Sequence, residues 1–399
     1  MDRTKICVMG LGYIGLPTAA LLANKGFEVE GVDINESIVK TINNGNIHIV
    51  EPGLDKYVEK AVKNKSLYAS LKPSLADIFI IAVPTPFHEG FKPNIDYIID
   101  ATKVIAPFIK ENNIVILEST SPVGTTEKVG QILQDQGVDI SKIFISHCPE
   151  RVLPGNIMNE LVENDRIVGG INKKSTKETI KFYEKFVNGK IFATDSKTAE
   201  MAKLTENSFR DVNIAFANEL SILCDKLNID SHELIKLANR HPRVNILSPG
   251  PGVGGHCIAV DPWFIIHKNP KEAKIIKTAR DINIYKTEWV IDKIKLAALN
   301  FEKINGNKPK IACFGLSFKP DIDDLRGSPA LYIAKKLKSY GYEILAVEPN
   351  ISEHDDFEII HHNEAINNAD LMTILVAHKE FKGLNIETNF DFCGLLDVF

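Results

Sequence analysis

Three glycines near the amino terminus constrain the fold more than any other feature of the sequence. Gly10, Gly12 and Gly15 form the pattern G-x-G-x-x-G, which follows a β-prone run at residues 5–9 and begins an Ala- and Leu-rich helical stretch at 14–25. Glycines in such a turn let the backbone bend tightly and let a pyrophosphate approach the helix N-terminus. The pattern therefore predicts a βαβ unit that binds a dinucleotide.

Asp33 indicates which dinucleotide is expected. It ends the next β-prone run, at residues 29–33, where a carboxylate can accept hydrogen bonds from the ribose hydroxyls of the cofactor. A carboxylate would repel a 2′-phosphate, and the following Ile34 and Asn35 offer no cation to hold one. The sequence therefore predicts NAD rather than NADP.

The alternation of β-prone and helical stretches predicts an α/β protein with two Rossmann-like doubly wound domains joined by an all-helical central domain. We expect these domains at residues 1–195, 196–305 and 306–399. The final run, FCGLLDVF, resembles a strand without a following turn, which leaves open whether the native chain continues beyond Phe399. The other predicted strands are at 77–83, 114–118, 143–147, 311–318, 342–347 and 370–376, and the other predicted helices are at 198–227, 271–300 and 328–340.

Composition restricts the class of protein. The 399 residues are 44% hydrophobic and 25% charged with a net charge of −5, which excludes a disordered chain and gives no basic excess for nucleic acid. The six cysteines form no C-x-x-C pair and no zinc-finger spacing, so we expect a reducing compartment and no structural metal. No signal-peptide pattern is present, and no apolar run approaches the ~20 residues that cross a bilayer. A cytoplasmic protein without membrane insertion is expected.

Cys257 differs from the other cysteines in its setting. It follows the run PGPGVGGH at 249–256, whose glycines expose backbone N–H groups that can stabilise a thiolate. Asp261, four residues further on, could orient a thiol, a lysine or a water. Lys203 and Asn207 are also four residues apart, which places them on one helical face. Taken alone, a lysine on a solvated helix is the simpler interpretation of that pair.

Seven motifs, in chain order, resemble those of the UDP-glucose/GDP-mannose dehydrogenase family. The resemblance covers essentially the whole chain and implies two Rossmann-like domains around a helical dimerisation core. It also implies oxidation of an alcohol to an acid with two molecules of NAD, a UDP-sugar substrate, and a homodimer or higher homo-oligomer. The motifs are GLGYIGLP, VPTP, ESTSPVGTT, CPER, AEMAKLTENSFRDVNIAFANE, HPRVNILSPGPGVGGHC and GLSFKPDIDDLRGSPA.

The resemblance implies three sets of site residues. The catalytic set comprises the nucleophile Cys257, the oxyanion-stabilising pair Lys203 and Asn207, the acidic Asp261, and the water-holding or water-activating Thr120 and Glu150. The cofactor set comprises Gly10, Gly12, Tyr13, Ile14, Gly15, Asp33, Pro84, Thr85 and Thr120. The substrate set comprises Glu150, Arg151, Lys203, Asn207, Arg210, His241, Arg243, Gly254, Phe318, Lys319 and Arg326, with Lys319 and Arg326 as cations and Arg243 reaching the neighbouring subunit.

The chemistry explains why these residue types are needed together. An aldehyde carbon must gain a nucleophile before it can lose a second hydride, and a thiolate supplies that adduct. Lys203 and Asn207 could stabilise the oxyanion, and Glu150 could activate the water that releases the thioester. A desolvated Lys203 could instead take the proton of the alcohol. The sequence leaves both roles of the lysine open.

One departure from the common family pattern bears on the sugar. Where the family commonly has C-x-P-K-D, residues 257–261 are CIAVD, and residues 241–264 resemble the N-acetylmannosamine branch. We expect UDP-N-acetyl-D-mannosamine, with UDP-N-acetyl-D-glucosamine and UDP-glucose as alternatives. A two-electron hydroxyacid dehydrogenase and a non-catalytic NAD-binding regulator are the competing classes. Cys257 and the third domain count against the first, and the intact catalytic set counts against the second.

Overall fold

The computed structural model describes residues 4–384 and 388–396 and divides the chain into two compact units, Met1–Thr205 and Glu206–Phe399. The first unit contains a large sheet with helices between its strands, as predicted. Its elements are β1 (Lys5–Met9), α1 (Gly15–Asn24), β2 (Glu28–Val32), α2 (Glu36–Asn43), α3 (Leu54–Lys63), β3 (Leu67–Ser70), β4 (Ile78–Ile81), β5 (Phe87–His88), β6 (Lys92–Pro93), α4 (Asp96–Ile105), β7 (Ile114–Leu117), α5 (Thr125–Asp135), β8 (Phe144–His147), α6 (Ile157–Glu163), β9 (Arg166–Gly170), α7 (Lys173–Tyr183) and β10 (Ile191–Asp195).

The large sheet has eight strands in the order β10-β9-β8-β7-β4-β1-β2-β3. Strands β1, β4 and β7 are buried apolar runs, as expected of a parallel sheet covered on both faces. Side chains from α1 and from β1, β2 and β4 form the largest hydrophobic cluster. The loops that follow β1, β4, β7 and β8 therefore gather at one edge of a rigid sheet, where ligands of such folds bind.

One pair of strands in the large sheet is antiparallel, and it involves β9, a strand that the sequence analysis did not predict. Strand β9 runs antiparallel to β8, with Ser146 opposite Gly170 and His147 opposite Gly169. The connection between them, residues 148–165, contains the seven-residue helix α6 and enters β9 at the carboxyl edge of β8, so that β9 runs back along β8. Residues 148–165 consequently stay at the carboxyl edge of β8.

The second unit begins within a long helix and ends in a small sheet. The regular elements that the structure describes between 196 and 305 are helices, which confirms the helical central segment. The elements are α8 (Ser196–Leu227), which crosses from the first unit, α9 (Ser231–Ala238), α10 (Asp261–Lys268), α11 (Lys274–Asn305), β11 (Lys310–Phe314), α12 (Pro329–Ser339), β12 (Glu343–Val347), α13 (His362–Asn368), β13 (Leu371–Ile374) and β14 (Phe390–Asp391).

The small sheet has the order β12-β11-β13-β14, and its pairs are parallel. The strand predicted at 392–399 is wrong for residues 392–396, and residues 397–399 lie outside the described part of the chain. The strand ends early because the Asp391 carboxylate accepts the N–H groups of Cys393, at 3.0 Å, and Leu396, at 2.8 Å. Those bonds turn the chain away from the sheet.

Within residues 4–384 and 388–396, none of the helices combines the length and the apolar character that a membrane crossing requires.

Candidate active site

Gly10, Gly12 and Gly15 of the first turn differ in what a side chain at each position would meet. Gly10 has φ +89°, and a Cβ there would lie 2.8 Å from the Ala82 carbonyl oxygen. A Cβ on Gly15 would collide with the carbonyl oxygen of Gly10. A Cβ on Gly12 would meet no described atom within 4 Å, and Gly12 is exposed. The open space lies beside the start of α1, where backbone N–H groups attract a pyrophosphate, so the turn fits a dinucleotide.

Asp33 is held in place at the end of β2. Its Oδ2 accepts the N–H of Leu11 at 3.0 Å, and its Oδ1 accepts the N–H of Asn35 at 2.9 Å. The residue is half-buried. Each oxygen keeps a second lone pair for a ribose hydroxyl. Tyr13 is exposed and Ile14 half-buried on the neighbouring turn.

The loops after β4 and β7 bring further predicted cofactor residues together. The Thr85 hydroxyl donates to the Thr120 carbonyl oxygen at 2.8 Å. Ser119 Oγ donates to the Val83 carbonyl oxygen at 2.7 Å, which ties the same two loops. Pro84 is exposed beside them. The structure thus joins Pro84, Thr85 and Thr120 at the carboxyl edge.

Glu150 is buried and paired with a residue that the sequence analysis missed. Arg166, the first residue of β9, contacts Glu150 Oε1 through Nη1 and donates from Nη2 to the Leu161 carbonyl oxygen at 2.9 Å. Burial alone would lower the pKa of Arg166, but Glu150, together with smaller contributions from Cys148, Tyr183 and Glu118, raises it. The antiparallel course of β9 brings the arginine here, and no pattern in CPER signals it.

Glu118 adds a second carboxyl group to the same cluster. It is buried at the end of β7, and the Thr18 hydroxyl lies 3.4 Å from its Oε2. Burial, and then the negative charge of Glu150, raise the pKa of Glu118 well above its usual range. A protonated Glu118 can share its proton with Glu150, which leaves Arg166 to balance one negative charge. Glu118 lay within the quoted ESTSPVGTT motif but was not chosen.

Lys203 and Arg151 also belong to the first unit. Lys203 is half-buried on α8. Burial lowers the pKa of the buried His147, at the end of β8, to about 3, and the charge of Lys203 acts in the same direction. That coupling places the lysine near the carboxyl edge of the sheet. Arg151 donates from Nη1 to the Asp165 carbonyl oxygen at 3.2 Å.

In the second unit, Cys257 is exposed, whereas four of the other cysteines are buried and Cys393 is half-buried. Its carbonyl oxygen accepts the N–H groups of Val260, at 3.1 Å, and Asp261, at 2.9 Å. Asp261 is buried as the first residue of α10, and its Oδ2 accepts a hydrogen bond from Asn207 Nδ2 at 2.5 Å. The structure thus joins Asn207, Asp261 and the turn that begins at Cys257.

The glycine-rich loop before Cys257 is anchored by residues that the sequence analysis did not single out. The N–H of Gly250 donates to Asn218 Oδ1 at 2.9 Å, and Thr287 Oγ1 donates to the Pro251 carbonyl oxygen at 2.9 Å. Gly252 has φ +147°, and a Cβ there would collide with Thr287 Oγ1. The loop is therefore fixed between α8 and α11. Asn218 lies within the quoted α8 motif, which was the available signal.

Phe318 and Arg326 border the cysteine loop from the small sheet. A Cβ on Gly255 would lie 2.8 Å from Phe318 Cε2, and a Cβ on Gly254 would lie 2.9 Å from Phe318 Cβ. The N–H of Gly255 donates to the Arg326 carbonyl oxygen at 3.1 Å. Only glycines allow this approach, because a side chain would push the ring away. Lys319 is half-buried next to Phe318.

The Arg326 guanidinium is engaged by a neighbouring carboxylate. Nε lies 2.9 Å from Asp324 Oδ1, and Nη2 lies 2.6 Å from Oδ2. Burial alone would raise the pKa of Asp324, but the hydrogen bonds and charge of Arg326 hold it below its usual range. A diphosphate would have to share the guanidinium with Asp324.

The remaining predicted substrate residues are exposed on the helical segment. Arg210, His241 and Arg243 are all exposed, and the N–H of Arg243 lies 3.3 Å from His241 Nδ1. Their exposure leaves them accessible to another molecule.

Three family models match consecutive segments of the chain. Residues 4–187 match the NAD binding domain of the UDP-glucose/GDP-mannose dehydrogenase family, residues 197–285 match its central domain, and residues 312–394 match its UDP binding domain. Together the matches confirm the predicted resemblance along nearly the whole chain.

Individual proteins resemble the chain over its full length. A UDP-N-acetyl-D-mannosamine dehydrogenase from Campylobacter jejuni is 56% identical over 98% of this chain and 99% of its own. An NDP-N-acetyl-D-galactosaminuronic acid dehydrogenase from Ralstonia nicotianae is 51% identical over 97% of this chain and 94% of its own. The solved UDP-N-acetyl-mannosamine dehydrogenase from S. aureus has a TM-score of 0.90 at 42% identity and covers 99% of this chain and 96% of its own.

Proposed function

The chain belongs to the UDP-glucose/GDP-mannose dehydrogenase family, and we propose on that basis that it converts the C6 alcohol of a UDP-N-acetylhexosamine into a carboxylate. It is a nucleotide-sugar dehydrogenase that uses a nicotinamide dinucleotide. The observation that supports oxidation as far as the carboxylate is the exposed Cys257 at the end of an anchored glycine-rich loop. Oxidising an alcohol to an aldehyde needs no added nucleophile, whereas the aldehyde carbon must gain one before it can lose a second hydride, and an exposed thiol can supply it.

Gly10, Gly12, Gly15 and Asp33 would hold the dinucleotide, which would supply one hydride acceptor for each oxidation, with a second oxidised molecule replacing the reduced one between the two steps. Cys257 Sγ adds to the aldehyde carbon between those steps, and the resulting thiohemiacetal loses the second hydride to become a thioester. Lys203 and Asn207 stabilise the oxyanion. The bond from Asn207 to Asp261 supports this role, because it fixes the amide beside the cysteine turn.

Water then cleaves the thioester, which releases the acid and returns the thiol. We assign the activation of that water to Glu150, with Thr120 holding the water. The buried ion pair with Arg166 gives Glu150 a fixed orientation, and Glu118 can exchange a proton with it. Because the mechanism depends on a reduced thiol, we place the reaction in the cytoplasm.

Substitution of the nucleophile tests the proposal. Cys257→Ser should form no uronate while NAD binding is unchanged, because a serine hydroxyl is a far poorer nucleophile at neutral pH. Cys393→Ser is the matched control, since its hydroxyl can keep the bond to the Leu375 carbonyl oxygen, and it should retain acid formation. Mass spectrometry of the product and calorimetry with NAD measure both effects. Full conversion to the acid by Cys257→Ser would contradict the covalent mechanism.

For the cofactor we propose NAD. The support is Asp33, whose carboxylate is fixed by two backbone N–H groups at the end of β2. A 2′-phosphate near this charge would be repelled.

For the sugar we propose UDP-N-acetyl-D-mannosamine. Several of the most similar relatives carry that substrate in their names, and Val260 stands where the family commonly has a lysine. An apolar wall for one methyl group is worth only about 1–3 kcal/mol, whereas a group that hydrogen-bonds the acetamide discriminates far more strongly.

Specificity constants measured with four UDP-sugars test this choice. We expect kcat/KM to be highest for UDP-N-acetylmannosamine and lowest for UDP-glucose. UDP-N-acetylgalactosamine is included because a 51% identical relative is named for N-acetylgalactosaminuronic acid. If UDP-glucose is the best substrate, the assignment to the N-acetylmannosamine branch is wrong, although the family assignment stands. If UDP-N-acetylglucosamine is the best substrate, only the proposed configuration at C2 of the sugar is wrong.

We further propose that two copies associate through the helical segment. Phe209, Phe216 and Leu223 are exposed on α8 and follow one another every seven residues, which places them on one face. Leu227 is 66% exposed at the end of the same helix. An apolar row of this length favours a protein partner over solvent. The family resemblance favours a second copy of this chain.

A further inference from the structure

The small sheet repeats one detail of the cofactor-binding turn. In the large sheet, the N–H of Leu11 donates to the Asp33 carboxylate at 3.0 Å. In the small sheet, the N–H of Leu316 follows the turn glycine Gly315 and donates to Glu348 Oε2 at 2.7 Å. Both acidic residues directly follow the second strand of their sheet. Glu348 therefore occupies the position that carries the proposed ribose-binding carboxylate in the first unit.

Glu348 differs from Asp33 because other groups of the protein surround its carboxylate completely. Its side chain is fully buried, and Oε2 also accepts the N–H of Ser317 at 2.9 Å and lies 3.1 Å from His378 Nε2. Burial alone would raise the pKa of Glu348, but the bonds from His378 and from the Leu316 N–H lower it to about 2. This carboxylate is thus charged, and its position excludes a ribose. The turn of the small sheet is not a second dinucleotide site.

His378 holds the other end of the same loop. The N–H of Asp321 donates to His378 Nδ1 at 3.0 Å. A backbone N–H can only donate, so Nδ1 is unprotonated and Nε2 carries the hydrogen that Glu348 accepts. Asn350 Nδ2 lies 3.1 Å from Nδ1 as well. Asp321, His378 and Glu380 bring potential metal ligands within 4.8 Å of one another, but both ring nitrogens are already engaged by N–H or carboxylate partners.

The loop between these two anchors carries Phe318 and Lys319. Ser317 Oγ donates to the Lys319 carbonyl oxygen at 2.8 Å, and Asp321 has φ +61°, a strained value for a residue with a side chain. The strain is held because the Asp321 carboxylate accepts the N–H of Lys379 at 2.9 Å. The loop conformation therefore depends on bonds made from outside it.

We propose that Glu348 and His378 are positioning residues that hold Phe318 and Lys319 in place for the UDP part of the substrate. The inference rests on the proposed function, which assigns Phe318 and Lys319 to substrate binding. It deepens that assignment because neither Glu348 nor His378 reaches the surface. The same loop touches Gly255, two residues before Cys257, so it lies beside the cysteine loop.

Titration calorimetry with UDP alone, on the full chain, tests the proposal. His378→Ala should weaken UDP binding by about tenfold or more, because small misplacements of binding groups are costly, while NAD affinity changes by less than about twofold. In steady-state kinetics KM for the UDP-sugar should rise by a similar factor, with kcat at saturation nearly unchanged.

Two conservative variants keep the test decisive if His378→Ala does not fold. His378→Asn can keep an acceptor near the Asp321 N–H, and His378→Gln can keep a donor near Glu348. Each should recover part of the UDP affinity. Leu337→Ala, a fully buried core position on α12, is the control for stability, since it lowers the melting temperature through a cavity and removes none of the hydrogen bonds that hold the loop.

The possible outcomes distinguish a failure of the proposed function from a failure of the positioning role alone. A wild-type protein that does not bind UDP would overturn the proposed function, and this inference with it. A wild-type protein that binds UDP, with His378→Ala binding equally well, would overturn the positioning role alone. The same loss of UDP affinity in Leu337→Ala would also overturn it, because the effect would then follow from reduced stability.

Discussion

At the scale of single residues, we propose that Asp33 determines the preference for NAD over NADP. Asp33→Ala should raise KM for NAD and loosen the preference over NADP, because the ribose contacts and the repulsion of a 2′-phosphate are lost together. The ratio of kcat/KM values for NAD and NADP is the measurement. Asp139→Ala, which removes an exposed carboxylate remote from the turn, should leave the ratio unchanged. An unchanged ratio in Asp33→Ala would place the ribose contact elsewhere.

The pair formed by Glu150 and Arg166 makes a prediction about stability. Arg166→Met leaves a buried carboxylate without its cation, and removing one partner of such a pair typically costs about 3–5 kcal/mol. Urea denaturation should show this loss in the free energy of unfolding. The double variant Arg166→Met with Glu150→Gln should recover a substantial part of it, since no charge is then stranded. Equal stabilities of the single and double variants would contradict the assignment.

Glu348 makes the protein sensitive to acid. Its pKa falls from 4.5 to about 2 on folding, so its contribution is fully present above pH 4.5 and is lost as the pH falls towards 2. That difference corresponds to about 3 kcal/mol. Glu348→Gln should flatten the dependence of the unfolding free energy on pH across this window. Identical pH profiles for wild type and variant would contradict the lowered pKa.

At the scale of elements, the glycine-rich loop is predicted to tolerate substitution at one position and not at another. Gly252→Ala should lower kcat strongly, because φ +147° and the collision with Thr287 Oγ1 force the loop to move. Gly250→Ala is the matched control, since a Cβ there meets no described atom within 4 Å. Equal activity of the two variants would show that the loop geometry does not govern catalysis.

The elements also show what the sequence could predict. Strands β1, β2, β4, β7 and β8 and the long helices α8 and α11 were predicted because buried apolar runs and uninterrupted helical stretches are local signals. The direction of β9 was not predictable, because it depends on the edge of the sheet at which residues 148–165 lead into the strand. The end of β14 depends on the capping by Asp391, which is a contact rather than a pattern.

In the candidate site, too, some residues are predictable from local sequence signals and others depend on tertiary contacts. Gly10, Asp33, Cys257 and Asp261 carry signals in their spacing and motif context. Arg166 does not, since its role arises from pairing with Glu150 across a connection that reverses direction. Asn218 lies within the quoted α8 motif, but its anchoring role becomes clear only from its bond to Gly250.

At the scale of the whole molecule, the proposed dimer makes a prediction about shared sites. Arg243→Ala and Cys257→Ser proteins, each inactive alone, should regain partial activity when mixed, because some hybrid sites would contain both intact groups. Light scattering of the wild type should give the mass of two copies or a multiple of it. Absence of recovery despite demonstrated subunit exchange would place Arg243 in the site of its own chain.

The central claim is that one active site carries out both oxidations through Cys257. The most direct measurement is the amount of NADH formed per mole of limiting UDP-N-acetylmannosamine at complete conversion. We expect two moles of NADH for each mole of sugar nucleotide, with the uronate as the final product. One mole of NADH with an aldehyde product would identify a two-electron dehydrogenase, and none with any UDP-sugar would identify a non-catalytic binding protein. Either result would contradict the two successive oxidations proposed for this site.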